Sequence, residues 1–317
     1  MRVVEIDGEY TEPHEVDGVD ISPAQRYSVL ITAHSSNTFN YQYNATMYAS
    51  FIPPAPGLAP RIFIGDVVYQ KGAPIIKTGS YDSSFRWADD IELHALDQEP
   101  ALPVDRSLRL VLGNNLYSNG EHLDHFNNVT YASPLTPTLY SALSMGDMAM
   151  DERVYGPQAH AVVLKHLEVV ELIVHNPSTL THPLHLHGHS FQITEYGPAD
   201  LQAPNNKTAA PVVKNTGVPA RRDTMSIPPA QYIKVRFRAD NPGVWLFHCH
   251  MDIHFVLGMA MTFVEAPDVL QKTQSVLPEM LDICARQGVK TTGNAAGNQG
   301  LDLTGLPPAP LFISRSS

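Results

Sequence analysis

The chain has 317 residues, 43% of them apolar and 17% charged, which excludes a disordered chain and leaves room for two cores. A formal net charge of −11 argues against nucleic acid or an anionic membrane surface as a partner. With 26 prolines and 20 glycines, many short strands joined by turns are expected rather than long helices. No signal peptide opens the chain, and Met1–Tyr10 reads directly as a strand and a tight turn. β-rich, alternating segments follow at 27–32, 61–64 and 107–112, with a proline-rich break at Pro53–Pro56. A second break, Ser133–Thr138, predicts a domain boundary at 132/133. Beyond it the strand pattern resumes at 161–164, 169–174, 232–237 and 259–264, the spacing of an all-β sandwich. A short helix is predicted over Pro267–Ala285, and the Gly-, Asn- and Pro-rich segment 288–317 reads as a flexible tail. The apolar run Phe255–Val264 is too short to span a bilayer, so no membrane anchor is expected. Sequons at Asn44, Asn128 and Asn206 fit a secreted glycoprotein.

Histidine is the unusual count. Of 15, seven fall in two short segments, His182-Pro-Leu-His185-Leu-His187-Gly-His189 and His248-Cys249-His250-Met-Asp-Ile-His254. Met259 follows five residues after His254, where the second segment ends. Imidazole, thiolate and thioether are the soft and borderline donors that suit copper, and a blue copper site needs two His, one Cys and a weak axial ligand. Cys249, His254 and Met259 lie along one loop that can fold around an ion, and His182 is the best candidate for the second imidazole.

The alternating histidines carry a different message. In an extended segment, residues i and i+2 share a face. His185 and His187 therefore point together, as do His248 and His250, while Cys249 points the other way. Two facing pairs would bring four imidazoles to one volume, next door to the thiolate. The remaining histidines (His14, His34, His94, His122, His125, His160, His166 and His175) read as surface or satisfied core residues. For His189 a structural hydrogen bond is expected. Structural zinc is the competing metal, but its closed sites favour paired Cys and His at knuckle or helix spacing.

These two segments resemble the C-terminal signatures of the multicopper oxidases, which include laccases, ascorbate oxidases and ferroxidases. The resemblance extends to Val16–Tyr27, Arg221–Thr224 and Asn241–Phe247. It implies Greek-key cupredoxin β-sandwich domains: a partial second domain over 1–132 and a complete third domain over 133–287, followed by the tail 288–317. By the resemblance, His182, Cys249 and His254 hold the type 1 copper with Met259 axial. His185 would hold the type 2 copper, and His187, His248 and His250 the binuclear type 3 pair. Cys249, His248 and His250 would conduct electrons between the centres. Asp223 is either a group supporting these ligands or the partner of an adjacent arginine.

Family members carry further His-X-His pairs in a first cupredoxin domain, and residues 1–181 contain none. A missing N-terminal domain is therefore expected. Cys284, which in similar proteins bonds to that domain, would be left without a partner. The expected reaction is one-electron oxidation of a small reductant coupled to reduction of O2 to water, at a low to medium potential set by the methionine. Ferroxidases of the iron-transport type use carboxylates near the type 1 site. The corresponding positions here are Ser178 and Ala49, which favours a laccase-like phenol oxidase over a ferroxidase. A type 1 copper electron-transfer module without oxygen chemistry and a copper-free remnant are the other readings.

Overall fold

In the computed structural model, residues 1–33, 35, 38–47, 61–77, 85–116, 120–199 and 211–308 are described. His34, Ala49, the Pro53–Pro56 break and the Asn206 sequon lie outside them.

The centre of the molecule is a sandwich of two sheets. One runs, in spatial order, Val213–Lys214, Phe191–Pro198, Gln231–Arg238, Val169–Asn176, Arg106–Leu116 and His122–Phe126, with Arg221–Arg222 paired beside Phe191–Pro198. The facing sheet runs Thr224–Ile227, His182–Leu186, Gly243–Cys249, Ala260–Glu265 and Ala161–Leu164. Successive side chains point to opposite faces of each strand, and central strands such as Val169–Asn176 and Ala260–Glu265 are buried on both. Val170, Leu172 and Val174 point inward from the first sheet, as do Ile233, Val235 and Phe237. Leu184, Leu186, Phe247, Met261 and Phe263 meet them from the second. These residues form one core, and Phe126 stacks on Phe247 across it, with centroids 5.5 Å apart.

Two small three-stranded sheets precede the sandwich. Arg2–Ile6 is flanked by Glu9–Glu15 and Tyr27–Leu30, and Asn40–Met47 by Arg61–Val67 and Ile75–Ile76. The first packs Val3, Ile6 and Val16 against Leu93 and Ala220. This all-β architecture is the sandwich expected from the strand pattern, and it agrees with the cupredoxin fold that the resemblance implies.

Three details differ from the sequence expectations. A division at 132/133 cuts through the sandwich: Arg106–Leu116 pairs in parallel with Val169–Asn176, and Leu110, Leu112 and Phe126 belong to its core. The proline-rich break at Ser133–Thr138 is thus a connection inside one unit. The helix expected over 267–285 is two helices, Pro267–Thr273 and Pro278–Arg286, because Pro278 supplies no amide hydrogen to continue the first. Residues 288–308 do not behave as a tail. Asn294, Ala295 and Ala296 are fully buried, and Ala295 exchanges backbone hydrogen bonds with Val154 and Thr136. Among the described residues, no helix is long and apolar enough to cross a membrane.

Candidate metal centre

Antiparallel pairing of His182–Leu186 with Gly243–Cys249 builds the site. The register sets Leu184 opposite Cys249, His185 opposite His248 and Leu186 opposite Phe247. Because side chains alternate across a strand, the histidine-rich segments sort onto two faces. His182 shares the core-facing side of its strand with Leu184 and Leu186, and Cys249 shares that side with Phe247. His185 and His248 point away from the core, with His187 and His250 beside them.

On the core side, Cys249 Sγ lies 3.8 Å from His182 Nδ1 and 3.5 Å from His254 Nδ1. The three donor atoms fall within 4.8 Å of one another, and all three residues are buried. The short helix Asp252–Val256 carries His254 back toward the strand. Met259 is 2% exposed, its amide bonds to the His254 carbonyl, and its own carbonyl accepts from the Cys249 amide. Burial pushes the Cys249 thiol up to about 12 and the His182 imidazole down to about 4. His254 is also lowered by burial. Two neutral imidazoles and a thiol with no positive neighbour suit a cation that displaces the thiol proton.

On the outer side, the four imidazoles cluster. The His185 ring is 4.9 Å from His187, 5.8 Å from His248 and 5.7 Å from His250. His187 Nε2 and His248 Nε2 are 2.9 Å apart. Burial lowers His248 to about 4 and also lowers His187. Both are therefore neutral near pH 7, the form that offers a lone pair to a metal. The donor chemistry fits copper on both faces: N, S and N with a thioether inside, and four imidazoles outside.

Supporting contacts settle the minor expectations. His189 Nε2 lies 2.8 Å from the buried Glu265 carboxylate, and its Nδ1 lies 3.2 Å from the His187 carbonyl, a structural role. Asp223 meets both His185 and an arginine, but that arginine is Arg26, not a neighbour in sequence. Arg222 instead pairs with Asp7 and Asp90. Arg26 was the residue that sequence reasoning missed, since nothing local links position 26 to position 223. Ser178 Oγ sits 3.0 Å from His182 Nε2. Cys284 is a free thiol, with the Tyr140 hydroxyl 3.3 Å from its sulfur.

Two family models, both described as multicopper oxidase, match residues 1–60 and 131–269, together more than half the chain. The chain belongs to the multicopper oxidase family. Within that family it is 36% identical to "Iron multicopper oxidase fer1" of Mycosarcoma maydis, over 99% of this chain and 50% of that protein. It is 40% identical to "Iron transport multicopper oxidase FET3" of Gibberella zeae, over 97% of this chain and 51% of that protein. The chain thus spans about half the length of these curated multicopper oxidases. Among solved structures it resembles Fet3p, "a Multicopper Oxidase that Functions in Iron Import", with a TM-score of 0.87 at 34% identity over 99% of this chain and 60% of that one. The laccase from Botrytis aclada shares the fold, with a TM-score of 0.61 at 20% identity over 90% of this chain and 51% of that one. Copper is the cofactor of multicopper oxidases, so the fit of both donor sets to copper agrees with the family.

Proposed function

We propose that the protein containing this chain couples Fe2+ oxidation to reduction of O2. The observation that carries the oxidase part is the sorting of Cys249 and His248 onto opposite faces of one strand. In this reading His182, Cys249, His254 and Met259 would hold a type 1 copper, His185 the type 2 copper, and His187, His248 and His250 the type 3 pair. Bound copper supplies one-electron redox chemistry at the inner site and four-electron reduction of dioxygen at the outer one. The chain's own part is to hold both donor sets one residue apart, which gives electrons a short covalent path through Cys249 to His248 and His250. Burial of Cys249 keeps water away from the sulfur, and Met259 supplies a weak donor that favours a low to medium potential. The remaining imidazoles of the outer cluster would come from a further cupredoxin domain, a reading supported by relatives about twice as long. Exposed sequons at Asn44 and Asn128 support a secreted setting.

Iron as the reductant rests on the relatives named for iron multicopper oxidase or iron transport at 36–40% identity. They favour the ferroxidase alternative over the laccase-like assignment preferred from sequence. One observation favours the second reading, oxidation of small organic reductants. The group on His182 Nε2 is the Ser178 hydroxyl, which carries no charge to attract Fe2+. Oxygen uptake by the copper-loaded full-length protein with Fe2+ or a simple phenol as the reductant distinguishes the two. The ferroxidase reading expects the larger kcat/KM for Fe2+. Uptake with the phenol alone would transfer the assignment to the second reading.

A further inference from the structure

We propose that Thr224, Asp223 and Arg26 fix the tautomer of His185 through an ordered chain of hydrogen bonds, leaving Nε2 as its only free lone pair toward the outer histidine cluster. The inference rests on the reading of His185 as a copper ligand. Its basis is the donor and acceptor character of each group.

The Arg26 guanidinium can only donate. Its two terminal nitrogens reach Asp223 Oδ1 at 2.8 Å and Oδ2 at 2.7 Å, a bidentate pair. A carboxylate gripped by both terminal nitrogens of a guanidinium is held as the anion by that geometry, so Asp223 only accepts. Thr224 Oγ1 lies 2.7 Å from Asp223 Oδ1 and must spend its one hydrogen there. Its remaining lone pairs can then only accept, and the group facing them is His185 Nδ1 at 3.1 Å. The Asp223 carbonyl oxygen, also only an acceptor, sits 3.0 Å from the same nitrogen. Every neighbour of Nδ1 therefore demands a hydrogen from it. A neutral imidazole has one N–H, so Nε2 is left as the acceptor.

The chain is anchored away from the histidines. Arg26 donates to the Ala24 and Asp7 carbonyls at 2.7 and 2.9 Å. Its backbone amide is fixed by Asp7 Oδ1 at 2.7 Å, and Asp7 Oδ2 accepts from the Thr224 amide at 3.2 Å. Thr224 is fully buried, so solvent cannot replace its hydroxyl. The N-terminal sheet thus reaches the metal cluster through Arg26. These three are positioning residues, since none touches a reacting atom.

The test uses the copper-loaded full-length protein. Thr224→Val keeps the side-chain shape and deletes the hydroxyl, Arg26→Gln deletes the charge, and Thr224→Ser restores the donor. Copper content and the type 2 electron paramagnetic resonance signal are followed during dialysis against a chelator, with the blue absorption as an internal measure of an intact fold. Val and Gln variants are expected to bind the type 2 copper about 10–100-fold more weakly, with the blue band unchanged, and the Ser variant to recover. Retention of type 2 copper by both variants would overturn the proposal while leaving the copper reading in place. Simultaneous loss of the blue band would overturn it too, as a merely structural effect. A parent protein with no type 2 signal would instead refute the reading of His185 as a ligand.

Discussion

At the residue scale, burial decides which groups stay neutral. Cys249, His182 and His248 are each nearly solvent-free, and each is pushed toward its uncharged form. The same physics acts at His160, outside the metal centre. Burial and then the neighbouring His125 lower it to about 4, and its Nδ1 has no hydrogen-bond partner. Below pH 6.5 the unfolded chain takes up a proton that folded His160 refuses, so acid favours unfolding until about pH 4, where the folded residue also titrates. Asn tolerates the left-handed backbone at this position, φ 44°. His160→Asn is therefore expected to remove up to about 1.4 kcal/mol per pH unit from the acid slope of stability in that window, read as urea midpoints against pH. An unchanged slope would contradict it. The candidate metal-ligating residues were legible in the sequence because imidazole, thiol and thioether chemistry is local. The sequence did not disclose His160 or Arg26, whose roles depend on residues far away along the chain.

At the element scale, the site follows from one antiparallel register. Alternation along each strand was legible from sequence, because the side-chain period of two is fixed by backbone geometry. The pairing of His185 with His248 was not, since register depends on where two distant segments meet. The C-terminal segment shows the opposite case. Its composition reads as a flexible tail, yet Asn294 organises it. The Asn294 side chain donates to the carbonyls of Gly300 and Asp302 and accepts from the amides of Ala296 and Asn298. Such side-chain-to-backbone bonds leave no hydrophobic period for a sequence to reveal. Asn294→Ala removes all four bonds, and the buried Ala296 amide left without its acceptor alone costs about 1–3 kcal/mol. We expect it to open 288–308 to limited proteolysis while the sandwich strands stay protected. Equal resistance in the variant would count against this role.

At the scale of the whole molecule, buried ion pairs join the N-terminal sheet to the sandwich. Arg222 and Asp7 side chains are both fully buried, with Nε 2.9 Å from Oδ2, and Arg222 also reaches Asp90. Burial disfavours the guanidinium charge, but Asp90 and Asp7 outweigh that and hold Arg222 above its ordinary value. Arg222→Met removes the fully buried partner of Asp7, leaving it only the half-exposed Arg26 guanidinium at 3.6 Å, and is expected to cost about 3–5 kcal/mol. Adding Asp7→Asn should recover part of it, since the amide removes the stranded charge, keeps an acceptor for the Arg26 and Thr224 amides and tolerates the left-handed backbone, φ 49°. A single variant as stable as the parent would show that the pair does not hold the two parts together. The same junction carries Arg26 to Asp223, so docking of the N-terminal sheet and support of His185 are one structural event.

The central claim is that Cys249 is a metal-bound thiolate whose two sequence neighbours face a second metal cluster. Titrating the copper-free protein with copper while recording the visible spectrum and the alkylation of Cys249 tests it most directly. An intense blue band should rise as the thiol becomes unreactive, and Cys249→Ser should never develop that colour. A colourless copper-loaded protein with a freely alkylated Cys249, or a blue Ser variant, would contradict the account.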